Sequence, residues 1–181
     1  MKEHANRLSV GTQAPDIKAA DWNGQLFDLE KLKGKKVWLA FFRYASCPLC
    51  NLRVSEMIMR FDKLKSSGLE IVAVFQSSQE GIAEYVGKQN PPFPLIGNSD
   101  ESFYRLYGLE NGASALLSPA LLVKLAKATA KGFLPGKMEG TLTRIPGDFL
   151  VDEQGRIADV YYGKNIGDHI DFKRVEDFLK S

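Results

Sequence analysis

An unbroken run of apolar residues leads into a paired-cysteine motif in the segment Val37-Trp38-Leu39-Ala40-Phe41-Phe42-Arg43-Tyr44-Ala45-Ser46-Cys47-Pro48-Leu49-Cys50. Apolar residues at every position are typical of a central strand that is covered on both faces of its sheet. After the motif, apolar residues recur at helical spacing, at Val54, Met57, Ile58, Phe61 and Leu64. We therefore expect a buried strand that delivers Cys47 to the start of a helix.

A second buried strand follows this helix after a short return. Gly68 indicates the end of the helix, and residues 69–75 form another apolar run. Strand, helix and strand joined in this way predict a parallel crossover, so the fold class is α/β. The pattern also predicts short helices around 82–88 and 102–107, a Pro-rich loop at 91–94 and a closing helix over 171–179.

Turn signals predict two hairpins that extend this α/β unit. Asn23-Gly24 lies between short apolar pieces, and Asp152-Glu153-Gln154-Gly155 separates the apolar runs 146–151 and 156–162. Before the second hairpin, residues 113–140 form an insert that we expect to be helical. The helix predicted within 113–137 carries the charges Lys124, Lys127 and Lys131 and no acid. These lysines could guide acidic partners or simply form a solvated face over an apolar stripe.

The composition fits one globular domain spanning residues 1–181. The chain is 44% hydrophobic and 25% charged, and Lys plus Arg outnumber Asp plus Glu by only 24 to 22. This balance gives no reason to expect nucleic acid or an anionic membrane as a partner, although an oligomer is compatible with it. The N-terminus is polar and lacks the apolar core of a secretory signal, so we expect a cytoplasmic protein.

The spacing Cys47-Pro48-Leu49-Cys50 predicts a reactive dithiol. Unpaired N–H groups and the positive end of the helix dipole favour an anion at the helix start. Cysteines in such positions titrate at roughly 3.5 to 7.5, compared with about 8.5 for a free thiol. Pro48 suits the first helical turn, where its missing N–H costs little. We expect Cys47 to attack a disulfide or an oxidised sulfur, and Cys50 to resolve the mixed intermediate.

Two other interpretations of the cysteines stay open. Both side chains could simply pack in the core, because free cysteine is commonly buried. Alternatively, the two thiolates could belong to a copper- or zinc-binding module. A zinc site would need four ligands, and His4 and His169 lie at opposite ends of the chain without ligand spacing. We therefore predict no resident metal and no cofactor.

Several further residues are candidates for lining the site. Pro146 stands before a predicted strand, where it could hold a cis peptide or be an ordinary strand-entry proline. Arg43 and Arg144 could flank the sulfur and favour its anion, or be solvated and salt-bridged. Ser46 immediately precedes the nucleophile. His169 could carry protons or cap a loop.

The motifs together resemble the AhpC/TSA (alkyl hydroperoxide reductase and thiol-specific antioxidant) family, in its peroxiredoxin-like branch. The resemblance covers most of the chain outside the insert and is carried by residues 10–16, 23–24, Leu29, 34–35, 42–53, 104–108, 146–152 and 163–169. It implies a thioredoxin-like fold with a central mixed sheet flanked by helices, an N-terminal hairpin and a helical insert before the last strands. It also implies redox-active Cys47 with Cys50, and Pro146 in the position of the cis-proline.

The resemblance also suggests the partners. A protein or small-molecule thiol or disulfide is the expected substrate, a hydroperoxide is a further candidate, and a thiol reductant would restore the dithiol. Two positions depart from the wider family of peroxidases, which carry proline seven residues and threonine or serine three residues before the reactive cysteine. Here those positions hold Ala40 and Tyr44. The chain also lacks the tryptophan that typically precedes the first cysteine of thioredoxin, because Ser46 takes that place.

Overall fold

The computed structural model describes residues 7–112 and 119–181. The strands are β1 (Lys18–Ala20), β2 (Leu26–Asp28), β3 (Lys36–Phe41), β4 (Leu69–Phe75), β5 (Leu95–Gly97), β6 (Gly147–Val151) and β7 (Ile157–Tyr162). The last five form a mixed sheet in the order β5-β4-β3-β6-β7, and β1 pairs with β2 in a separate hairpin. Strands β3, β4 and β5 are parallel, whereas β6 is antiparallel to both β3 and β7. The predicted mixed α/β sheet and both predicted hairpins are confirmed.

Strand β3 lies at the centre of the sheet and is covered on both faces. Trp38 and Ala40 belong to an apolar cluster with the helix that follows the cysteines. Leu39 and Phe41 point the other way, into a cluster that contains Tyr104 and other aromatic side chains. Successive side chains of a strand alternate between faces, so a strand with apolar residues throughout is stable only in this position.

The helices are α1 (Pro48–Ser66), α2 (Gln79–Glu84), α3 (Ser102–Leu106), α4 (Pro119–Ala130) and α5 (Phe172–Leu179). Short 3₁₀ turns occupy Leu29–Leu32 and Val86–Gln89. Helix α1 begins with a proline in its first turn and is followed by Gly68 at a φ of 89°, a conformation that glycine adopts without strain. Both ends of α1 therefore match the expectation from sequence.

The insert differs from the sequence-based expectation, and the strand after the Pro-rich loop is an addition to it. Within the insert only α4 is helical, residues 113–118 lie outside the described ranges, and residues 131–146 are largely irregular. Gly132, Pro135, Gly136 and Gly140 explain the early end of the helix, because glycine and proline both disfavour helix interiors. Strand β5 directly follows the Pro-rich loop and was not predicted, because its three residues give too short a pattern.

None of the helices in the described ranges is both long enough and apolar enough to cross a membrane.

We predict that Phe149→Ala lowers the free energy of unfolding by about 3–5 kcal/mol. Phe149 is fully buried, and its ring lies 5.6 Å from the ring of Phe41 and 4.8 Å from that of Tyr107. Urea denaturation followed by tryptophan fluorescence and circular dichroism measures the loss. If the chain is a single domain, the two probes give coincident transitions.

Met59→Ala on the exposed side of α1 is the matched control, because its side chain is 64% exposed. We expect it to change the free energy of unfolding by less than about 0.5 kcal/mol. Equal losses in the two variants would contradict the packing described for β6.

Candidate active site

The cysteine pair lies where the loop after β3 enters α1. Cys47 is the N-cap residue of α1, with extended backbone angles, and its amide donates to the carbonyl of Tyr44 at 3.0 Å. The buried side chain of Asn51 donates to the carbonyls of Ala45 at 2.7 Å and Cys47 at 3.0 Å. These bonds fix the loop against the first turn of the helix, so the position of the Cys47 sulfur is set by backbone geometry.

Several donors converge on the Cys47 sulfur. The Cys50 thiol donates a hydrogen bond to it and lowers the pKa of Cys47 most, while burial opposes this effect. Nη1 of Arg43 lies 3.3 Å from the sulfur, and its positive charge lowers the pKa further. Backbone N–H groups of Leu49 and Cys50 add to the stabilisation of the anion. The result is a pKa of Cys47 of about 6, so the thiolate predominates at neutral pH.

The pKa of Cys50 is shifted in the direction opposite to that of Cys47. Its burial raises the pKa of the Cys50 thiol well above the ordinary value, and the hydrogen bond to Cys47 and the charge on that residue act in the same direction. The two sulfurs are not bonded to each other. The arrangement therefore pairs one thiolate with one protonated thiol, which is the charge state needed for a nucleophile and a resolving group.

An irregular stretch of the insert lies over this site, and we call residues 133–143 the covering segment. The hydroxyl of Ser46 donates to the carbonyl of Lys137 at 2.5 Å, and Nη2 of Arg43 donates to the carbonyl of Leu142 at 2.6 Å. Cys47 is 1% exposed and Cys50 is 2% exposed. The dithiol is thus closed off from solvent.

Arg144 and Pro146 are placed next to each other but differ from the expectation in detail. Arg144 pairs with Glu101 and donates to the carbonyl of Leu109 at 2.9 Å, so its guanidinium is committed to these partners. No peptide bond in the described ranges is cis, and the expected cis bond before Pro146 is therefore wrong. Pro146 lies directly before β6, and its carbonyl accepts the amide of Gly163 at 2.9 Å. The strand-entry alternative applies, and a role for either residue in lining the site stays a prediction.

His169 is paired with a buried carboxylate. Its Nδ1 lies 3.0 Å from Oδ2 of Asp148, and its ring packs on Phe42 at a centroid distance of 4.5 Å. Burial by itself would raise the pKa of Asp148, but His169 and Arg53 hold the pKa of this carboxyl below its ordinary value. Among the described residues, which exclude His4, no cluster of three or more His, Cys, Asp or Glu side chains could hold a metal ion. The alternative of a copper or zinc module gains no support.

Comparison with known proteins settles the family. The model of the AhpC/TSA family matches residues 10–160, which is most of the chain. This protein belongs to the AhpC/TSA family. Peroxiredoxin Bcp of Escherichia coli K12 is 23% identical over 166 residues, covering 92% of this chain and 93% of the relative. Family membership makes the chain a thiol-dependent oxidoreductase of the peroxiredoxin type.

Solved structures confirm the thioredoxin-like fold of this AhpC/TSA member. The crystal structure of peroxidoxin BcpB from Mycobacterium tuberculosis superposes with a TM-score of 0.68 at 15% identity, covering 96% of each chain. A putative thiol:disulfide interchange protein DsbE from Chlorobium tepidum superposes with a TM-score of 0.63 at 20% identity, again covering 96% of each chain. At these identities the likeness establishes the fold.

The structure brings the predicted Arg43 within 3.3 Å of the Cys47 sulfur, but sequence reasoning missed the residues that organise this loop. Asn51 had a detectable signal, because an asparagine in the first turn of a helix commonly bonds to nearby backbone. Nothing in the sequence points to Ser77, although its hydroxyl accepts a hydrogen bond from the Ala45 amide at 2.9 Å. The contacts of Lys137 and Leu142 are made by main-chain carbonyls, which no residue pattern reveals.

We predict that alkylation of Cys47 by iodoacetamide rises with pH around a midpoint near 6, because only the thiolate reacts. Cys50→Ala should move this midpoint upward, since it removes the hydrogen bond that lowers the pKa most. Cys50→Ser keeps a hydroxyl donor and should shift it less. Mass spectrometry of the Cys47 peptide measures the rates, and a wild-type midpoint near 8.5, as in an unstructured peptide, would contradict the described environment.

Proposed function

We propose that this protein is a dithiol oxidoreductase in which Cys47 is the nucleophile and Cys50 the resolving thiol. The observation that carries the proposal is the Cys47 sulfur at the start of α1 with Nη1 of Arg43 3.3 Å away, where the pKa of Cys47 is lowered while that of Cys50 is raised. A buried pair of ordinary core cysteines would have both pKa values raised by desolvation. Here the pKa of Cys47 is lowered instead.

With a disulfide substrate, the Cys47 thiolate attacks one substrate sulfur and displaces the other as a thiolate, which takes up a proton. Cys50 then loses its proton and attacks Cys47, releasing the second substrate thiol. One substrate disulfide is reduced to two thiols, and the two enzyme thiols are oxidised to a Cys47–Cys50 disulfide. An external thiol reductant reverses the last change and restores the dithiol.

A hydroperoxide fits the same pair as an alternative oxidant. The Cys47 thiolate attacks the terminal oxygen, the O–O bond breaks, and the alcohol leaves with a proton while Cys47 becomes a sulfenic acid. Cys50 then attacks this sulfur, water leaves, and the same disulfide forms. The name of the E. coli relative favours this oxidant. Position 44 favours disulfides instead, because this chain has Tyr44 where the wider family of peroxidases has threonine or serine.

Arg43 has the geometry of a charge-stabilising group in both reactions. Its guanidinium is buried beside the sulfur, and its Nε has no hydrogen-bond partner among the described residues. A positive group at this distance stabilises the thiolate in the resting site and again when the Cys47 sulfur leaves during reduction.

We predict that Cys47→Ser abolishes reduction of both insulin disulfides and a hydroperoxide, because the hydroxyl is not ionised at neutral pH. Cys50→Ser should still complete the first step and then accumulate a mixed disulfide on Cys47. Turnover assays and intact-protein mass spectrometry measure the two outcomes. Met59→Ala serves as a surface control, and rates that are the same in wild type and Cys47→Ser on both substrates would refute the proposal.

A further inference from the structure

The covering segment raises the question of how any substrate reaches the dithiol. Cys47 must touch a sulfur or oxygen atom of its substrate, yet it is 1% exposed in the structure. The segment that closes the site belongs to the insert and is joined to Ser46 and Arg43. Displacement of this segment would free Ser46 and Arg43, the two side chains that flank Cys47.

The segment is held mainly by its main chain. Besides the carbonyls bound by Ser46 and Arg43, the amide of Thr141 donates to Oε1 of Gln76 at 2.9 Å, and the amide of Lys137 donates to the hydroxyl of Tyr85 at 3.0 Å. We call the four side chains Arg43, Ser46, Gln76 and Tyr85 the main-chain groove. Because these four side chains hold the segment through its backbone groups, they can bind another extended segment of similar shape.

The side chains of the segment contribute little to holding it. Leu134, Met138 and Leu142 are 64%, 52% and 46% exposed, so leaving the groove would sacrifice little apolar contact. Thr141 adds one long contact, because its hydroxyl accepts a hydrogen bond from Nε2 of Gln76 at 3.4 Å. The main exception is Glu139, whose carboxylate accepts hydrogen bonds from the amide and hydroxyl of Ser78 at 3.3 and 3.0 Å. This contact is specific to the segment and lies outside the main-chain groove.

Two glycines allow the segment to approach this closely. A Cβ atom at Gly136 would overlap the ring of Tyr85, and one at Gly140 would overlap the amide of Gln76. Both obstacles are members of the main-chain groove. The fit is therefore one of backbone against groove.

We infer that the covering segment occupies the docking groove for an extended polypeptide segment of a disulfide-bonded protein substrate, which binds there in its place. The inference rests on the proposed function and names its substrate class. A protein disulfide carries extended backbone on each side of its sulfur and can replace each lost hydrogen bond. A small disulfide has no backbone of that length. Displacement of the covering segment therefore gives it access to Cys47 but no hydrogen bonds in the groove.

The test compares a change in the segment with a change in the groove, in the full-length protein. Glu139→Ala loosens the segment and leaves the main-chain groove intact. Tyr85→Phe also loosens the segment but removes one docking group. Glu153→Ala is the matched control, because this exposed glutamate lies in the β6–β7 turn, at the end of the sheet away from the cysteines.

Three rates are measured for each variant: alkylation of Cys47 by iodoacetamide, reduction of oxidised glutathione and reduction of insulin. Loss of one or two hydrogen bonds should raise alkylation about fivefold to tenfold in both Glu139→Ala and Tyr85→Phe. Glu139→Ala should raise both reductions by a similar factor. Tyr85→Phe should raise glutathione reduction but leave insulin reduction no faster than wild type. Gly140→Ala provides a second segment variant and should behave like Glu139→Ala.

Two results would overturn the inference. Alkylation rates equal to that of Glu153→Ala in every variant would show that the segment does not limit access. Equal gains on insulin in Glu139→Ala and Tyr85→Phe would show a simple cover without a docking groove. Failure of the proposed function is distinct, because disulfide reduction would then be absent, or independent of Cys47, in wild type as well.

Discussion

The hydrogen bond from the Cys50 thiol to the Cys47 sulfur is the interaction on which the site depends. Both sulfurs are buried, and burial disfavours a charged form of either one. Because the Cys50 thiol stays protonated, it can donate a hydrogen bond to the Cys47 sulfur and stabilise the negative charge there. Arg43 and the N–H groups at the start of α1 then reinforce that choice. The central strand and the first turn of α1 serve to hold these donors around one atom.

The layer between the sheet and α1 contains a second buried charge, which is balanced in a different way. Asp148 on β6 accepts hydrogen bonds from the indole of Trp38 at 2.9 Å and the amide of Ile170 at 2.9 Å, besides its contact with His169. Arg53 on α1 bonds to the carbonyl of Ile170 at 2.5 Å. These contacts tie β6, the residues before α5 and α1 together. A buried carboxylate with this many donors is costly to leave unpaired, so it favours one arrangement of the three elements.

The parts of the fold that could be predicted from sequence are those with a local cause. The apolar run of β3, the helical spacing after Cys50 and Gly68 each act within a few residues, and each gave the correct element. The contact between Ser46 and Lys137 joins residues 91 positions apart. Its acceptor is the main-chain carbonyl of Lys137, so no pattern of side chains in the sequence predicts it. The leucines of the insert correctly indicated a helix, which is α4. The glycines after α4 end the helix and let the following residues pack closely against Tyr85 and Gln76. The cis bond considered at Pro146 is not present, since no peptide bond in the described ranges is cis.

The glycines of the covering segment have a consequence for the lifetime of the protein in an oxidising cell. Thiolates that water and oxidants reach freely proceed past the sulfenic stage to sulfinic and sulfonic acids, and the sulfonic form is beyond repair. Glycine at positions 136 and 140 lets the covering segment lie closer to Tyr85 and Gln76 than a residue with a side chain would allow. A larger residue at either position would push the segment away from Tyr85 or Gln76, and any access to the sulfur gained in this way would favour its irreversible oxidation.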